Sequence, residues 1–191
     1  KGKWNENYFS NNHPLVLELA CGRGEYSFAL GQRMPEKNFI GVDIKGARIY
    51  QGAKKVLDAG MQNVAFLRTK IELINHFFSP SEISEIWITF PDPFLRDSKA
   101  NKRLTSPRFL DIYRKILKPE GIIHLKTDDP KLYEYTLEVL SESEDCEIIH
   151  QDDDIYSKAL YDETLEIKTY YEIRHLADNR TIKYVRFKFK H

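Results

Sequence analysis

The sequence predicts an α/β fold: a parallel sheet with helices on both faces. Three observations carry that prediction. Strand-like and helix-like segments alternate at regular spacing from Pro14 to Ser143. The strand-like segments are continuous apolar runs, the pattern of strands buried on both faces. A glycine turn, "CGRGE", follows the first of them and opens a helix.

Pro14–Ala20 (PLVLELA) is the first strand, and Tyr26–Met34 the helix behind it, with helical spacing at Phe28, Leu30 and Met34. Asn38–Ile44 is a second strand. The helix Lys45–Gly60 follows, closed by Gly60 as its C-cap. Asn63–Thr69 is a third strand. Ile71–Phe78 is a short helix stopped by Ser79-Pro80. Glu85–Phe90 is a fourth strand. Ser106–Gly121 is a helix with Ser106 as N-cap, Pro107 in its first turn and Lys115 and Lys118 at its end. Ile122–Asp128 is a fifth strand, followed by the helix Pro130–Ser143. The last third changes character. Cys146–Gln151 reads as a sixth strand. Asp152–His175 is polar and tyrosine-bearing. Thr181–Lys190 alternates apolar and basic residues like a half-exposed strand.

Composition bounds the function. The chain has 191 residues, 41% of them hydrophobic, which suits one domain with a sizeable core. Its first residue is Lys1, so residues preceding it are expected to be missing from this sequence. Formal net charge is zero, so overall charge selects no partner. Cys21 and Cys146 read as free thiols of a reducing, cytoplasmic compartment, because no Cys-x-x-Cys or Cys/His cluster surrounds them. The histidines show no metal-ligand spacing, so no metal is expected, and His124 reads as a satisfied core residue. No apolar run of about 18 residues and no signal-peptide pattern occurs, so no membrane association is expected. The sequence does not distinguish a monomer from a homodimer.

The ends of the first two strands bear carboxylates. Glu18 ends the first strand ahead of Gly22 and Gly24, whose turn allows a ligand to approach the backbone closely. Asp43 ends the second strand, where an acid accepts hydrogen bonds from ribose hydroxyls. Its plain alternative is the N-cap of the next helix. A carboxylate at Glu18 repels a pyrophosphate but suits a ligand bearing an amino group and a sulfonium, as S-adenosylmethionine does. The dinucleotide pattern G-x-G-x-x-G is also absent, since Glu25, Tyr26 and Ser27 follow Gly24. The fourth strand ends in Pro91-Asp92-Pro93, which is expected to hold Asp92 rigidly and its neighbours extended. The alternative there is a strand terminator with an Asx-turn.

The segments LELACGRGEY, FIGVDI, NVAFLRT, ITFPDPF, KRLTSPRFL, GIIHLKTDD and TYYE stand in the order found in the bacterial tRNA (guanine-N7-)-methyltransferases, which this chain resembles from about Pro14 to about Lys190. The glycine turn is common to all class I methyltransferases; the combination of PDP, HLKTD and T-x-Y-E is specific. The resemblance implies a Rossmann-like, seven-stranded class I fold with an antiparallel last strand. It implies S-adenosylmethionine as methyl donor and guanosine 46 of the tRNA variable loop as acceptor. Residue by residue, it implies cofactor contacts at Glu18, Asp43 and Asp92, the glycine turn at Gly22 and Gly24, and Lys70 where the family usually has aspartate. Substrate contacts are implied at Arg96, Asp128, Thr169, Tyr170, Tyr171 and Glu172. Two further departures are Ala20 for the customary first glycine and Phe94–Lys99 (FLRDSK) for a more basic W-P-K-K-R-H.

The target nitrogen has a lone pair and no proton at neutral pH, so placement is expected to matter more than a general base. Asp92 and Asp128 are the residues expected nearest the chemistry. Asp128 and Glu172 are expected to orient the guanine, with Arg96 on its carbonyl oxygen or a phosphate. For Asp128 the alternative is a helix N-cap, and for Glu172 a solvated charge. Nine Lys/Arg against three acids lie between Arg96 and Lys126. Lys126, Arg186, Lys188 and Lys190 are expected to meet phosphates. A methyltransferase acting on another substrate, and a non-catalytic RNA-binding module, stand as alternatives.

Overall fold

The computed structural model describes residues 1–190. Its strands are β1 (Leu15–Leu19), β2 (Asn38–Asp43), β3 (Val64–Arg68), β4 (Ile83–Thr89), β5 (Leu117–Thr127), β6 (Cys146–Asp152) and β7 (Lys183–Phe189). They form one sheet in the order β3-β2-β1-β4-β5-β7-β6. The first five pair in parallel; β7 runs antiparallel between β5 and β6. The order reverses between β1 and β4, so a crevice opens beyond their carboxyl ends. This is the mostly parallel sheet with an antiparallel last strand that the resemblance implies.

Helices α1 (Glu25–Arg33) and α2 (Gly46–Asp58) cover one face over β1–β3. Tyr26, Phe28 and Leu30 of α1 and Val56 of α2 pack there with Val16, Phe39 and Val64. Helices α3 (Pro107–Ile116) and α4 (Pro130–Glu142) cover the other face, with Leu17, Leu19, Ile86, Ile88, Ile123 and Leu125 beneath them. Both helices begin on proline, whose missing N–H costs nothing in a first turn.

Several boundaries differ from the sequence reading. Helix α3 ends at Ile116 and β5 begins at once, at Leu117. Ile71–His76 is a 3₁₀ turn rather than a short α-helix. Helix α5 (Tyr170–Ala177) forms inside the stretch read as merely polar. Thr169 caps it, its Oγ1 accepting the Glu172 N–H at 3.2 Å. Before α5, residues 153–169 cross the α1/α2 face over β4, β5 and β7 with only a four-residue 3₁₀ turn, Glu163–Glu166. No helix among the described residues is long and apolar enough to cross a membrane.

Candidate active site

A cavity of about 1010 Å³ lies at the carboxyl ends of β1, β2, β4 and β5. Its wall includes Glu18, Asp43, Asp92 and Asp128, one carboxylate from each strand end. The volume sits at the upper end of the range that encloses small-molecule ligands.

Two left-handed glycines shape the floor. Gly22 (φ 55°) and Gly24 (φ 64°) turn the chain from β1 into α1. A side chain at Gly24 would also collide with the Phe66 ring. Ala20 takes φ 58° just ahead of them, a conformation that costs an alanine about 1–2 kcal/mol more than a glycine. The replacement of the customary glycine is therefore a strain that the turn retains.

Glu18 is buried, and both its oxygens are engaged. Oε2 accepts the Ser27 N–H at 2.8 Å and the Ser27 hydroxyl at 2.5 Å; Oε1 accepts the Thr89 hydroxyl at 3.1 Å. The carboxylate thus satisfies an orphan N–H at the start of α1. Burial pushes its pKa up to about 7, against the opposing hydrogen bonds. Asp43 is buried too. Its Oδ2 accepts the Gly22 N–H at 2.9 Å and its Oδ1 the Lys45 N–H at 2.8 Å. One lone pair on each oxygen remains for a ligand. Thr69 and Lys70 line the same end, with Lys70 exposed.

The Pro91-Asp92-Pro93 loop departs from the sequence reading. Asp92 is exposed, and its Oδ1 accepts the Phe94 N–H at 3.1 Å. It therefore makes the Asx-turn and lines the cavity as well. Beyond the two prolines the chain is not extended: Phe90 (φ 49°), ahead of Pro91, and Phe94 (φ 43°), after Pro93, are both left-handed. Strain at such residues persists only where the surroundings fix it. Arg103, counted in the sequence among the basic residues behind Asp92, supplies that fixation. It is buried; Nε donates to Pro93 O and Nη2 to Phe94 O, each at 3.1 Å, and its guanidinium lies 4.3 Å from the Tyr135 ring. An arginine facing inward in a basic run carried no signal in the sequence.

Asp128 leaves helix capping to its neighbour, since Asp129 Oδ1 accepts the Leu132 N–H at 2.8 Å. Asp128 instead pairs with Arg180 at 2.8 Å and lies 3.5 Å from His175 Nε2. Arg180 and His175 also line the cavity and were not singled out in the sequence. Thr169, Tyr170 and Tyr171 complete this wall from the start of α5.

Five expected substrate contacts are placed elsewhere. Glu172 is fully buried and faces the sheet. Its Oε1 lies 2.8 Å from Lys126 Nζ and accepts the Tyr156 hydroxyl at 2.7 Å. It is neither a cavity group nor a solvated charge, because the 153–169 segment covers it. Lys126 is equally buried and gives its other hydrogens to Leu165 O and Ile167 O at 2.8 and 3.0 Å. No phosphate reaches it. Lys188 pairs with Glu120 at 2.5 Å, and Lys190 donates to Glu144 O. Lys188 is in register with Ile122, at the opposite end of the β5–β7 ladder from Thr127 and the cavity. Arg96 is exposed on the loop after Phe94 and stays off the cavity wall, whereas Lys102 reaches it. No group of acids, histidines and cysteines suited to a metal occurs among the described residues.

A family model described as "Putative methyltransferase" matches residues 12–185. A tRNA (guanine-N(7)-)-methyltransferase of Bacteroides thetaiotaomicron is 53% identical over 188 residues, covering 98% of this chain and 73% of that protein. One from Porphyromonas gingivalis is 54% identical, covering 98% and 76%. One from Christiangramia forsetii is 50% identical, covering 100% and 85%. Among solved structures, the 16S rRNA methyltransferase KamB superposes with a TM-score of 0.67 at 15% identity, covering 97% of this chain and 92% of that one. A SAM-dependent methyltransferase from Aquifex aeolicus gives 0.63 at 12%, covering 98% and 93%. At such identities these two speak for the fold alone.

Proposed function

This chain belongs to the tRNA (guanine-N(7)-)-methyltransferase family, and from that premise we propose that it transfers a methyl group from S-adenosylmethionine to N7 of guanosine 46 in the tRNA variable loop. The observation that carries the proposal is the gathering of Glu18, Asp43, Asp92 and Asp128 around one cavity beside the switch point of the sheet.

The donor set fits the cofactor. The two free lone pairs of Asp43 match a pair of ribose hydroxyls. Ile44 is 51% exposed and lines the cavity near Ile71, an apolar surface that a planar base would cover. Glu18 keeps one acceptor position for an ammonium group. When bound, the sulfonium supplies an electrophilic methyl group to a nucleophile placed in line with it.

The protein's part is placement and charge. Asp128, paired with Arg180, is an acceptor for the donors on the Watson–Crick edge of guanine. Asp92 and Phe90 close the side next to it, on a loop that Arg103 holds in place. N7 needs no deprotonation, so none of these groups has to take a proton, and the rate gain rests on orientation. Nucleoside analysis of tRNA incubated with the protein and isotopically labelled S-adenosylmethionine tests the proposal. It predicts labelled 7-methylguanosine; label in another nucleoside, or none in tRNA, would contradict it.

A further inference from the structure

We propose that Ser27 and Thr89 are positioning residues for the methyl donor: their buried hydroxyls clamp the Glu18 carboxylate and leave its open acceptor position to the donor's ammonium group. The inference rests on the reading of Glu18 as the ammonium's partner and assigns the residues that prepare it. Ser27 is fully buried in the first turn of α1, and Thr89 is buried at the end of β4. A carboxylate offers about four acceptor positions. Three are taken: the Ser27 N–H and hydroxyl hold Oε2 at 2.8 and 2.5 Å, and the Thr89 hydroxyl holds Oε1 at 3.1 Å. The open one is on Oε1, beside Thr89, which lines the cavity with Glu18.

The choice of these residues has a physical reason. Ser27 stands where a G-x-G-x-x-G turn would carry its third glycine, the position that lets helix and strand pack closely. A serine keeps that approach and adds a hydroxyl that reaches Glu18 on β1. The N–H that a phosphate would meet at such a helix start is given to Glu18 instead. The partners are also neutral. A lysine or arginine in their place would cancel the charge of the carboxylate. Hydroxyls favour the ionised form and keep its charge for a cationic ligand. The surroundings work the other way: burial, and then the Glu25 charge from α1, raise the Glu18 pKa. Asp43 and the Cys21 thiol face the pocket from β2 and the turn, and Tyr26 acts from α1. Burial pushes the thiol and the phenol well above their ordinary values, so both stay neutral. The hydrogen bonds from Ser27 and Thr89 oppose the rise at Glu18 and leave it at about 7.

The test is calorimetric titration of the whole protein with S-adenosylhomocysteine, which bears the same ammonium group, from about pH 6 to 8.5. Wild type, Ser27→Ala, Thr89→Val, Thr89→Ser and Glu18→Gln are compared. Carbon NMR follows the Glu18 carboxyl in the ligand-free protein. The ligand's own titration is common to all and cancels in the ratio of variant to wild type. Loss of either hydroxyl is expected to move the Glu18 midpoint up by about one pH unit. Ser27→Ala and Thr89→Val should then bind about tenfold more weakly than wild type near pH 6, about fivefold near pH 7, and within about twofold near pH 8.5. Thr89→Ser keeps the hydroxyl and should match wild type. A deficit that is the same at every pH, or a Glu18 midpoint that stays where it was, overturns the positioning role. A Glu18→Gln protein that binds as tightly as wild type at the alkaline end sinks the reading of Glu18 itself, and the proposal with it.

Discussion

The sheet face that carries α1 and α2 is covered in two different ways. Over β1–β3 the cover is apolar: Phe28, Leu30 and Val56 meet Val16, Phe39 and Val64. Over β4, β5 and β7 a polar layer lies beneath the irregular 153–169 segment. Glu85 accepts from Lys37 Nζ at 2.9 Å and from Trp87 Nε1 at 2.6 Å, and lies 3.2 Å from His124 Nε2. His124 stacks on Trp87 at 3.9 Å and meets the Tyr184 hydroxyl at 2.7 Å. Burial pushes the His124 imidazole down, and the Lys126 ammonium likewise. The difference teaches what each half asks of its residues. The apolar half needs size and period, which many residues satisfy. The polar half needs particular partners, because a buried charge without one is costly.

The largest expected effect breaks the polar half. Lys126→Met leaves Glu172 buried without its cation and should cost about 3–5 kcal/mol in urea denaturation. Lys126→Met together with Glu172→Met removes both charges and should recover most of that loss. If the single and double variants are equally unstable, the pair is not what holds the segment down.

The next prediction sharpens the contrast from the apolar half, where Glu18 is the one buried acid at the end of β1. Its folded pKa of about 7 lies above the ordinary 4.5. Its stabilising share is therefore complete below pH 4.5 and is lost as pH rises through 7, in total about 3 kcal/mol. Glu18→Gln should be more stable than wild type at pH 8 by about that amount, and the gap should close toward pH 4.5. A gap that does not change with pH would mean that Glu18 is ionised throughout. The same group predicts that S-adenosylmethionine binding at pH 7 releases about half a proton, since an ammonium beside Glu18 favours its charged form. Calorimetry in buffers of different ionisation enthalpy measures that release.

A smaller effect is expected at the loop that joins the halves. Arg103→Met removes two charge-assisted bonds to Pro93 O and Phe94 O and should cost about 2 kcal/mol. It should also slow methyl transfer more than it weakens tRNA binding, because the loop carries Asp92. A variant with normal stability and rate would show that the two prolines alone hold the loop.

The comparison also explains what was legible in the sequence. Continuous apolar runs gave away β1 and β2, buried along their whole length, and β3 and β4, each buried over part of its length. The glycine turn located Glu18 and the cavity floor. Helix α5 escaped because its burial rests on Glu172, a charge, so no apolar period marks it. Lys126 escaped for the same reason: a lysine at the end of an apolar strand looks solvent-bound until the segment that covers it is known. Arg103, His175 and Arg180 act through partners distant in sequence, and no spacing rule connects them.

The central claim is that Asp128 orients its substrate and does not act as a base. Single-turnover methylation of tRNA by wild type and Asp128→Asn, at saturating cofactor from about pH 6.5 to 8.5, tests it most directly. Saturating cofactor keeps Glu18 ionised, so its titration does not enter. The account predicts a flat wild-type profile and a strongly slowed Asp128→Asn with tRNA affinity little changed. A wild-type rate that climbs tenfold per pH unit, with the climb gone in Asp128→Asn, would contradict it and make Asp128 the base.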